Sequence, residues 1–495
     1  MLTIDEIRKF IDEDDASPLK HRAKEGQRYY DGIHDILDLR MFYWNADGNL
    51  VEDLTRSNVK IPHPFFTELV DQGTQHILSG EDGIFQSDIP ELQTQLDIYF
   101  NKNRTFKAEL SETITGQQAK GFDYMYAYKH NGRLVFENAD CLGVVEVEGR
   151  FTDDGKDQRI YRYIDRIDKD GNTQWKILVI DDEYTYYYCQ SNEGEIKTDD
   201  TVELNPKPHD LYKDKSGKLH QKKFGLLPFF RLDMNKKRVG MLNAVKPLID
   251  DYDIMASSLT NNLIDFDNPL HVVKGFSGDN LDELQQNLKT KRIIGTDENG
   301  GVEVHTVDVP YEARLAKLEL DEKGIYKFGM GLNLAGLKDT AATTNIAIKA
   351  AYSLLELRCK KMQEQIEKFL EEILKVVLDE INEQNGTAYM IDQVDFVFKP
   401  EIMSNAQENA QIELTDAQKQ QVQVTTLLNL ATYLGDELLM QNICDVLDLD
   451  YADIADKLPK REQDDLYAAQ AALNGIVPEG DTELDDPVVV KGFTA

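Results

Sequence analysis

Three carboxylates stand within four positions at Asp250, Asp251 and Asp253. Acids grouped this closely are the raw material of a two-metal nuclease site, in which paired ions clamp the attacking and leaving oxygens of a phosphodiester. Neighbouring acids on one helix point in different directions, so the same grouping also describes an exposed or subunit-facing edge. Gly329 and Gly331 begin a dinucleotide fingerprint, but Leu334 holds its sixth position and a helix precedes it where a strand is required. Gly331 and Gly336 approach a P-loop. There the extra Leu337 displaces Lys338, so the ammonium and the backbone amides would not meet the same phosphates. No GxSxG elbow or HExxH pair occurs, and Cys141, Cys189, Cys359 and Cys444 lie too far apart for a zinc or CxxC pattern. The expectation is a chain with no catalytic residues, no metal and no cofactor.

Basic residues cluster at Lys222-Lys223, Lys236 to Arg238, Lys289, Lys291 and Arg292, Lys338, and Lys360-Lys361. Solvated surface is the default reading of each. Lys291 and Arg292 stand out because they fall in a small inserted module, and Lys338 because it falls in a Gly- and Thr-rich loop.

That loop heads the element around which the chain is arranged. From Thr343, Thr344 and Asn345, all acceptable N-cap types, no Pro or Gly interrupts the sequence until Gly386. Leu355, Cys359, Met362, Ile366, Phe369, Leu370, Ile373, Val377 and Ile381 recur at the spacing of one buried helical face. At 1.5 Å per residue, roughly 40 residues make a rod of about 60 Å.

Around it the chain reads in order. Helices are expected at Ile4–Ile11, Pro18–Tyr30, Phe65–Leu78, Glu91–Phe100 and Arg104–Tyr128, with an extended aromatic stretch, RMFYWNADGNLVED, turning at Asp47-Gly48. Residues 131–235 carry short runs rich in β-branched and aromatic side chains and predict an antiparallel β region with at least two hairpins. The tyrosines at 184–188 fit alternation across a half-buried strand better than base stacking. An amphipathic helix follows from about Met241 to Phe266. Then come three short strands (PLHVVKGF, KRIIGT, VEVHTVDVP) with a helix between the first two, and a helix from Tyr311 to about Phe328. YMIDQVDFVFKP predicts a strand, 405–475 acidic helices, and the end of the chain an aperiodic, mobile tail. No solenoid period is present.

At 495 residues the chain exceeds a single compact core, so several lobes are expected. A formal charge of −35 argues against a sequence-specific DNA binder, which needs cations to release phosphate counterions. It does not argue against a protein that DNA passes through without sticking. The acidic N-terminus and the lack of a long apolar run predict a protein of the reducing cytoplasm with no membrane span.

Four segments resemble the portal (head–tail connector) proteins of tailed double-stranded-DNA bacteriophages, in the long-tailed type from phages of Gram-positive hosts. They are RYYDGIHDIL (28–37), NVKIPHPFFTELVDQGTQHILSG (58–80), LLPFFRLDMNKKRVGMLNAVKPLIDDYDIMASSLTNNLIDF (226–266) and TNIAIKAAYSLLELRCKKMQ (344–363). KDTAATTN departs from some relatives in lacking a short Ser/Gly core.

The resemblance implies an α+β, predominantly helical fold with parts called wing, stem, clip and crown, assembled as a ring of about twelve subunits around a central channel. It places the wing at 1–238, stem helices at 239–267 and 311–329, and the clip at 268–310. The tunnel loop is 330–344, the long helix and a wing strand are 345–400, the crown is 401–475 and the mobile acidic tail 476–495. It assigns DNA contact to Asn333, Lys338, Asp339, Thr340, Thr343 and Thr344, and docking to Lys289, Lys291, Arg292 and His305 of the clip.

Implied partners are double-stranded viral DNA passing non-specifically, the terminase large subunit that supplies ATP hydrolysis, scaffold and major capsid protein, and a head–tail adaptor. The implied location is a capsid vertex of the virion, after assembly in the host cytoplasm. Two other classes fit parts of the sequence: a metal-dependent nuclease or packaging enzyme using the Asp250–Asp253 edge, and an acidic helical scaffold that only binds proteins.

Overall fold

The computed structural model describes residues 2–54, 56–80, 83–130, 133–152, 155–167, 169, 171–192, 194–213, 219–222, 224–266, 270–276, 296–305, 310–333, 345–400, 406–430, 433 and 435–447. The chain divides into two compact units, residues 1–341 with 347–402, and residues 342–346 with 403–495. Both helices and strands build the first unit.

It opens with α1 (Ile4–Asp15) and α2 (Pro18–Tyr30). Thr3 and Glu6 form a reciprocal capping box that starts α1, which runs one turn past the expected Ile11. The aromatic stretch is the hairpin β1 (Phe42–Trp44) and β2 (Leu50–Glu52). Next come α3 (Phe65–Leu78), β3 (Phe85–Gln86), α4 (Pro90–Leu96) with a π turn over Asp97–Asn101, and α5 (Arg104–Lys120).

The helix expected over Arg104–Tyr128 thus stops eight residues early. Gly121 takes φ +95, and a Cβ there would stand 2.5 Å from the carbonyl oxygen of Arg238, so only glycine allows this close crossing. Beyond it the alternating aromatics of FDYMYAYKH form a strand. The β region therefore begins at Phe122, not 131.

Its strands are β4 (Phe122–His130), β5 (Arg133–Ala139), β6 (Val144–Val147), β7 (Gln158–Ile167), β8 (Thr173–Ile180), β9 (Tyr184–Ser191), β10 (Lys197–Thr198), β11 (Lys207–Pro208), β12 (Asp210–Lys213), β13 (Leu219–Lys222) and β14 (Phe229–Asp233). All pair antiparallel, with β6 to β10 in consecutive order, β11 against β9, and β4 central between β14 and β5. Burial along β9 does not alternate: Tyr188 and, on the opposite face, Thr185 are both buried, so the strand packs on both sides.

After the sheets come α6 (Leu242–Phe266), the pair β15 (Leu270–Phe276) and β16 (Thr296–His305), α7 (Tyr311–Phe328) and α8 (Asn345–Asn385). The expected KRIIGT strand and the helix before it lie outside the described residues, apart from Thr296. The long rod is a continuous helix of 41 residues ending before Gly386, whose φ is +68. All nine residues of its predicted stripe are buried, and they seat the helix against β3, α4, α5 and the β4 sheet in one core.

The strand expected at YMIDQVDFVFKP is only β17 (Asp395–Phe396), paired with β3. Asn382 explains the shortfall: its side chain accepts from Tyr389 N at 2.7 Å and donates to Tyr389 O at 2.9 Å, folding this segment back on the helix end. In the second unit, α9 (Ala406–Asn429) and α10 (Asp436–Val446) pack on one another. Residues 448–475 and the tail 476–495 lie outside the described residues. Among the described residues no helix is long and apolar enough to cross a membrane.

Candidate functional site

The site is built where α7 ends, just before residues 334–344, which lie outside the described residues. At the end of α7, Gly329 N donates to Ile325 O at 2.8 Å and Gly331 N to Tyr326 O at 2.9 Å, with Met330 left-handed at φ +51. A Cβ on Gly329 would lie 2.6 Å from Leu69 Cδ1, and one on Gly331 2.2 Å from Leu69 Cδ2. The glycines that mimic a nucleotide fingerprint are packing glycines, which lay this turn on α3.

Two side chains then lock the turn. Gln72 of α3 donates to Leu332 O at 2.9 Å and accepts from Leu332 N at 2.8 Å, copying the pairing of a neighbouring strand. Tyr326 donates to Glu68 at 2.7 Å, and Glu68 also accepts from Gln72 at 3.0 Å. From α8, Arg358 donates to Gly329 O at 3.0 Å and to Leu69 O at 2.9 Å. This guanidinium is buried without a carboxylate; burial lowers its pKa, and its Nε has no partner. The helices before and after the loop are thereby tied to one another and to α3.

Of the predicted loop residues, Asn333 lies just beyond this clamp and donates to Glu322 of α7 at 3.2 Å. Lys338, Asp339, Thr340, Thr343 and Thr344 lie outside the described residues, as do Lys289, Lys291 and Arg292. His305 ends β16 opposite Leu270, with its side chain outside the description.

The acidic edge of α6 does not converge. Asp250 accepts from Tyr29 and from Lys246, Asp251 pairs with Lys317 of α7, and Asp253 is buried between two histidines. His34 Nδ1 lies 2.6 Å from one oxygen of Asp253 and His63 Nδ1 2.8 Å from the other. Burial pushes the Asp253 pKa up, but these contacts outweigh it and hold the carboxylate below its ordinary value. Three acids spent on three different elements cannot clamp a metal pair, so the nuclease reading loses its residues.

Among the described residues one trio of ligand types is close-set: Asp123, Asp140 and Cys141, with ligand atoms within 4.8 Å of one another. Lys120 Nζ already stands 3.0 Å from Asp123 and 2.7 Å from Asp140, supplying the positive charge there. Burial raises the Asp123 carboxyl to about 6 against the pull of that lysine.

Sequence reasoning missed the Gln72 and Arg358 clamp, and also a strap that residues 57–63 lay along α6. Ser57 N donates to Asp265 at 3.1 Å, Val59 N to Asn261 at 2.7 Å, Ile61 N to Ser257 at 3.1 Å and His63 N to Asp253 at 2.9 Å. A signal for the strap was available. Pro62 and Pro64, which have no N–H, fall on the positions that skip the ladder, and its four acceptors recur every fourth residue of α6. The surface default for Lys236 to Arg238 also fails at Arg238, which pairs with Glu146 at 3.2 Å beside Arg231.

Compared with known proteins, residues 9–439 match the family described as phage portal protein, SPP1 Gp6-like. The chain is similar to the portal protein of Bacillus phage SPP1, 28% identical over 364 residues covering 73% of this chain and 69% of that protein. It is also similar to the portal protein of Clostridium phage phiCD119, 23% identical over 437 residues covering 83% of this chain and 89% of that one.

Proposed function

The chain belongs to the phage portal protein family, SPP1 Gp6-like, and from that premise we propose how this member works. It is a portal component of a phage capsid, and its family forms oligomeric rings. In our reading about twelve copies close a ring at one vertex through a heterologous contact, one face of each meeting a different face of the next. DNA enters the head through the centre, driven by a separate terminase ATPase, and leaves the same way at infection. The wing is 1–238 with 345–400, the stem 239–267 and 311–329, the clip 268–310 and the crown 401–475. Terminase and the head–tail adaptor dock at the clip, where Lys289, Lys291, Arg292 and His305 are the candidate contacts. Scaffold and major capsid protein meet the ring from the capsid side.

The loop 330–344 is assigned to the channel, with Asn333, Lys338, Asp339, Thr340, Thr343 and Thr344 as the residues DNA meets. One observation carries that assignment: the clamp of Gln72 and Arg358 fixes the loop's root to three helices. A segment that brushes moving DNA needs an anchored base, and a loop that merely connects two helices does not. The acidic composition supports passage over capture, because each cation left out removes a salt-dependent grip on phosphate.

Images of the purified protein in negative stain are expected to show rings with a central hole; a stable monomer would sink the reading. Lys338→Ala is expected to alter DNA packaging or retention while rings still assemble, and unchanged packaging would remove Lys338 from the channel.

A further inference from the structure

The two sheets of the β region line a shared cavity of about 280 Å³, away from the clamp and the strap. On one side Tyr126 and Tyr128 alternate along β4 with rings 5.4 Å apart, and Glu137 of β5 pairs opposite Tyr126. On the other side Tyr161 and Tyr163 alternate along β7 with rings 5.1 Å apart, joined by Tyr187 of β9. His209, just past β11, lines the same space. Five phenol rings, one carboxylate and one imidazole thus share a cavity that no core absorbs.

The electrostatics there have one sign. Burial and then Glu137 push the hydroxyls of Tyr128 and Tyr161 up in pKa. Burial, Asp165 and Glu137 push that of Tyr163 to about 12. The charges that weigh most on these three hydroxyls are all anionic. Of the two lysines in the lining, Lys129 turns its ammonium to Glu380 of α8 at 3.3 Å. Lys207, opposite Thr185 on β11, does not figure among the charges those hydroxyls feel.

We propose that this cavity is a receptor for one organic cation, an alkylammonium or guanidinium group held against the tyrosine rings beside Glu137. Aromatic faces carry negative potential and attract a cation, and a neighbouring carboxylate adds to the pull. A chain at −35 also concentrates cations near its surface. His209 supplies an acceptor. It is buried, and neither of its ring nitrogens has a hydrogen-bond partner. Burial lowers its pKa against the pull of the Tyr184 backbone, so at neutral pH the ring keeps a lone pair for an N–H of the cation. The volume lies just under the range of drug-sized ligand sites, about 300–1,000 Å³, as suits a single such group.

Isothermal titration of the wild-type chain tests this at about 0.5 M salt, where a Debye length of about 4 Å removes diffuse attraction. Methylguanidinium and n-butylammonium are expected to bind saturably, and n-butanol, the uncharged counterpart of the second, to give no saturable heat. Tyr163 and Glu137 are both exposed, so substitutions there spare the fold. Tyr163→Leu and Glu137→Gln are each expected to weaken binding about fivefold or more, while Tyr163→Phe, which keeps the ring face, preserves it. Lys207→Met removes a competing cation and is expected to tighten binding.

Two sources carry such a group, a free polyamine and a Lys or Arg side chain of a partner protein. Tighter binding of spermidine assigns the site to the free amine, and tighter binding of a blocked Gly-Arg-Gly tripeptide assigns it to a protein side chain. Butanol that binds as well as butylammonium overturns the receptor, as does a Tyr163→Leu chain with wild-type affinity. So does loss of binding in Lys207→Met, which would make the cavity an anion site, or the absence of saturable binding by every cation.

Discussion

Single side chains decide how firmly the loop's root is held. Arg358 gives two hydrogen bonds to the carbonyls of Gly329 and Leu69 from a buried position. Arg358→Met removes both donors and leaves two buried acceptors, so we expect a loss of about 2–4 kcal/mol in urea unfolding. A loss under about 0.5 kcal/mol would mean that water replaces the guanidinium. Asp35 gives a test by pH. Burial pushes its carboxyl up, but Lys246 and Arg28 hold it at about 2, below the ordinary 3.8. Its contribution to stability is therefore full above that ordinary value and fades as the pH falls through about 2. At 48% exposure solvent screens the pair, so Asp35→Asn is expected to cost under about 1 kcal/mol at neutral pH. Wild type and variant should converge near pH 2; an offset that persists there would deny the ion pairs their role. These roles were hard to read in the sequence. Gly329 and Gly331 advertise a phosphate turn, and only the position of Leu69 shows that they are there for packing. Arg358 stood in the sequence as one residue of the family-like run 344–363, with nothing nearby in the chain to reveal what it holds.

Elements were legible where periodicity was long and a break was chemical. The stripe from Leu355 to Ile381 and the stop at Gly386 gave α8 its extent, whereas α5 was overextended because Gly121 looked like one more residue in a helical run. Ile366→Ala in the buried stripe is expected to cost about 2–5 kcal/mol, read as a shifted urea midpoint with an unchanged slope. The strap rests on two mismatched rulers. Two residues of extended chain advance about 6.6 Å and four residues of helix about 6 Å. The ladder therefore drifts by about 0.6 Å per rung and by about 2 Å over three intervals. A drift this small is tolerated over four rungs, and the ladder stops at Asp265 because α6 itself ends one residue later, at Phe266. Ser257→Ala with Asn261→Ala should speed amide exchange at Val59 and Ile61 about tenfold or more, while His63 keeps its acceptor. Equal protection in the double variant would show that the strap is held by packing alone.

For the whole molecule, charge and anchoring act together. A non-specific duplex binder reaches a Kd of roughly 10⁻⁴ to 10⁻⁶ M at physiological salt. A chain at −35 is expected to fall on the weak side of that range, so fluorescence anisotropy with a short duplex should show no binding at micromolar protein. Tight, salt-sensitive binding would contradict passage without capture. The Arg358 clamp has a mechanical consequence for that passage. It joins Gly329 to a residue 29 positions later, so the intervening chain is a stirrup hung from one clasp. A pull on this span is shared at the clasp by α7 and α8, while the first residues of α8, Asn345 to Leu357, lie inside the span and ahead of the clasp. On the proposal that DNA meets residues 330–344, this clasp is where α7 and α8 share its drag.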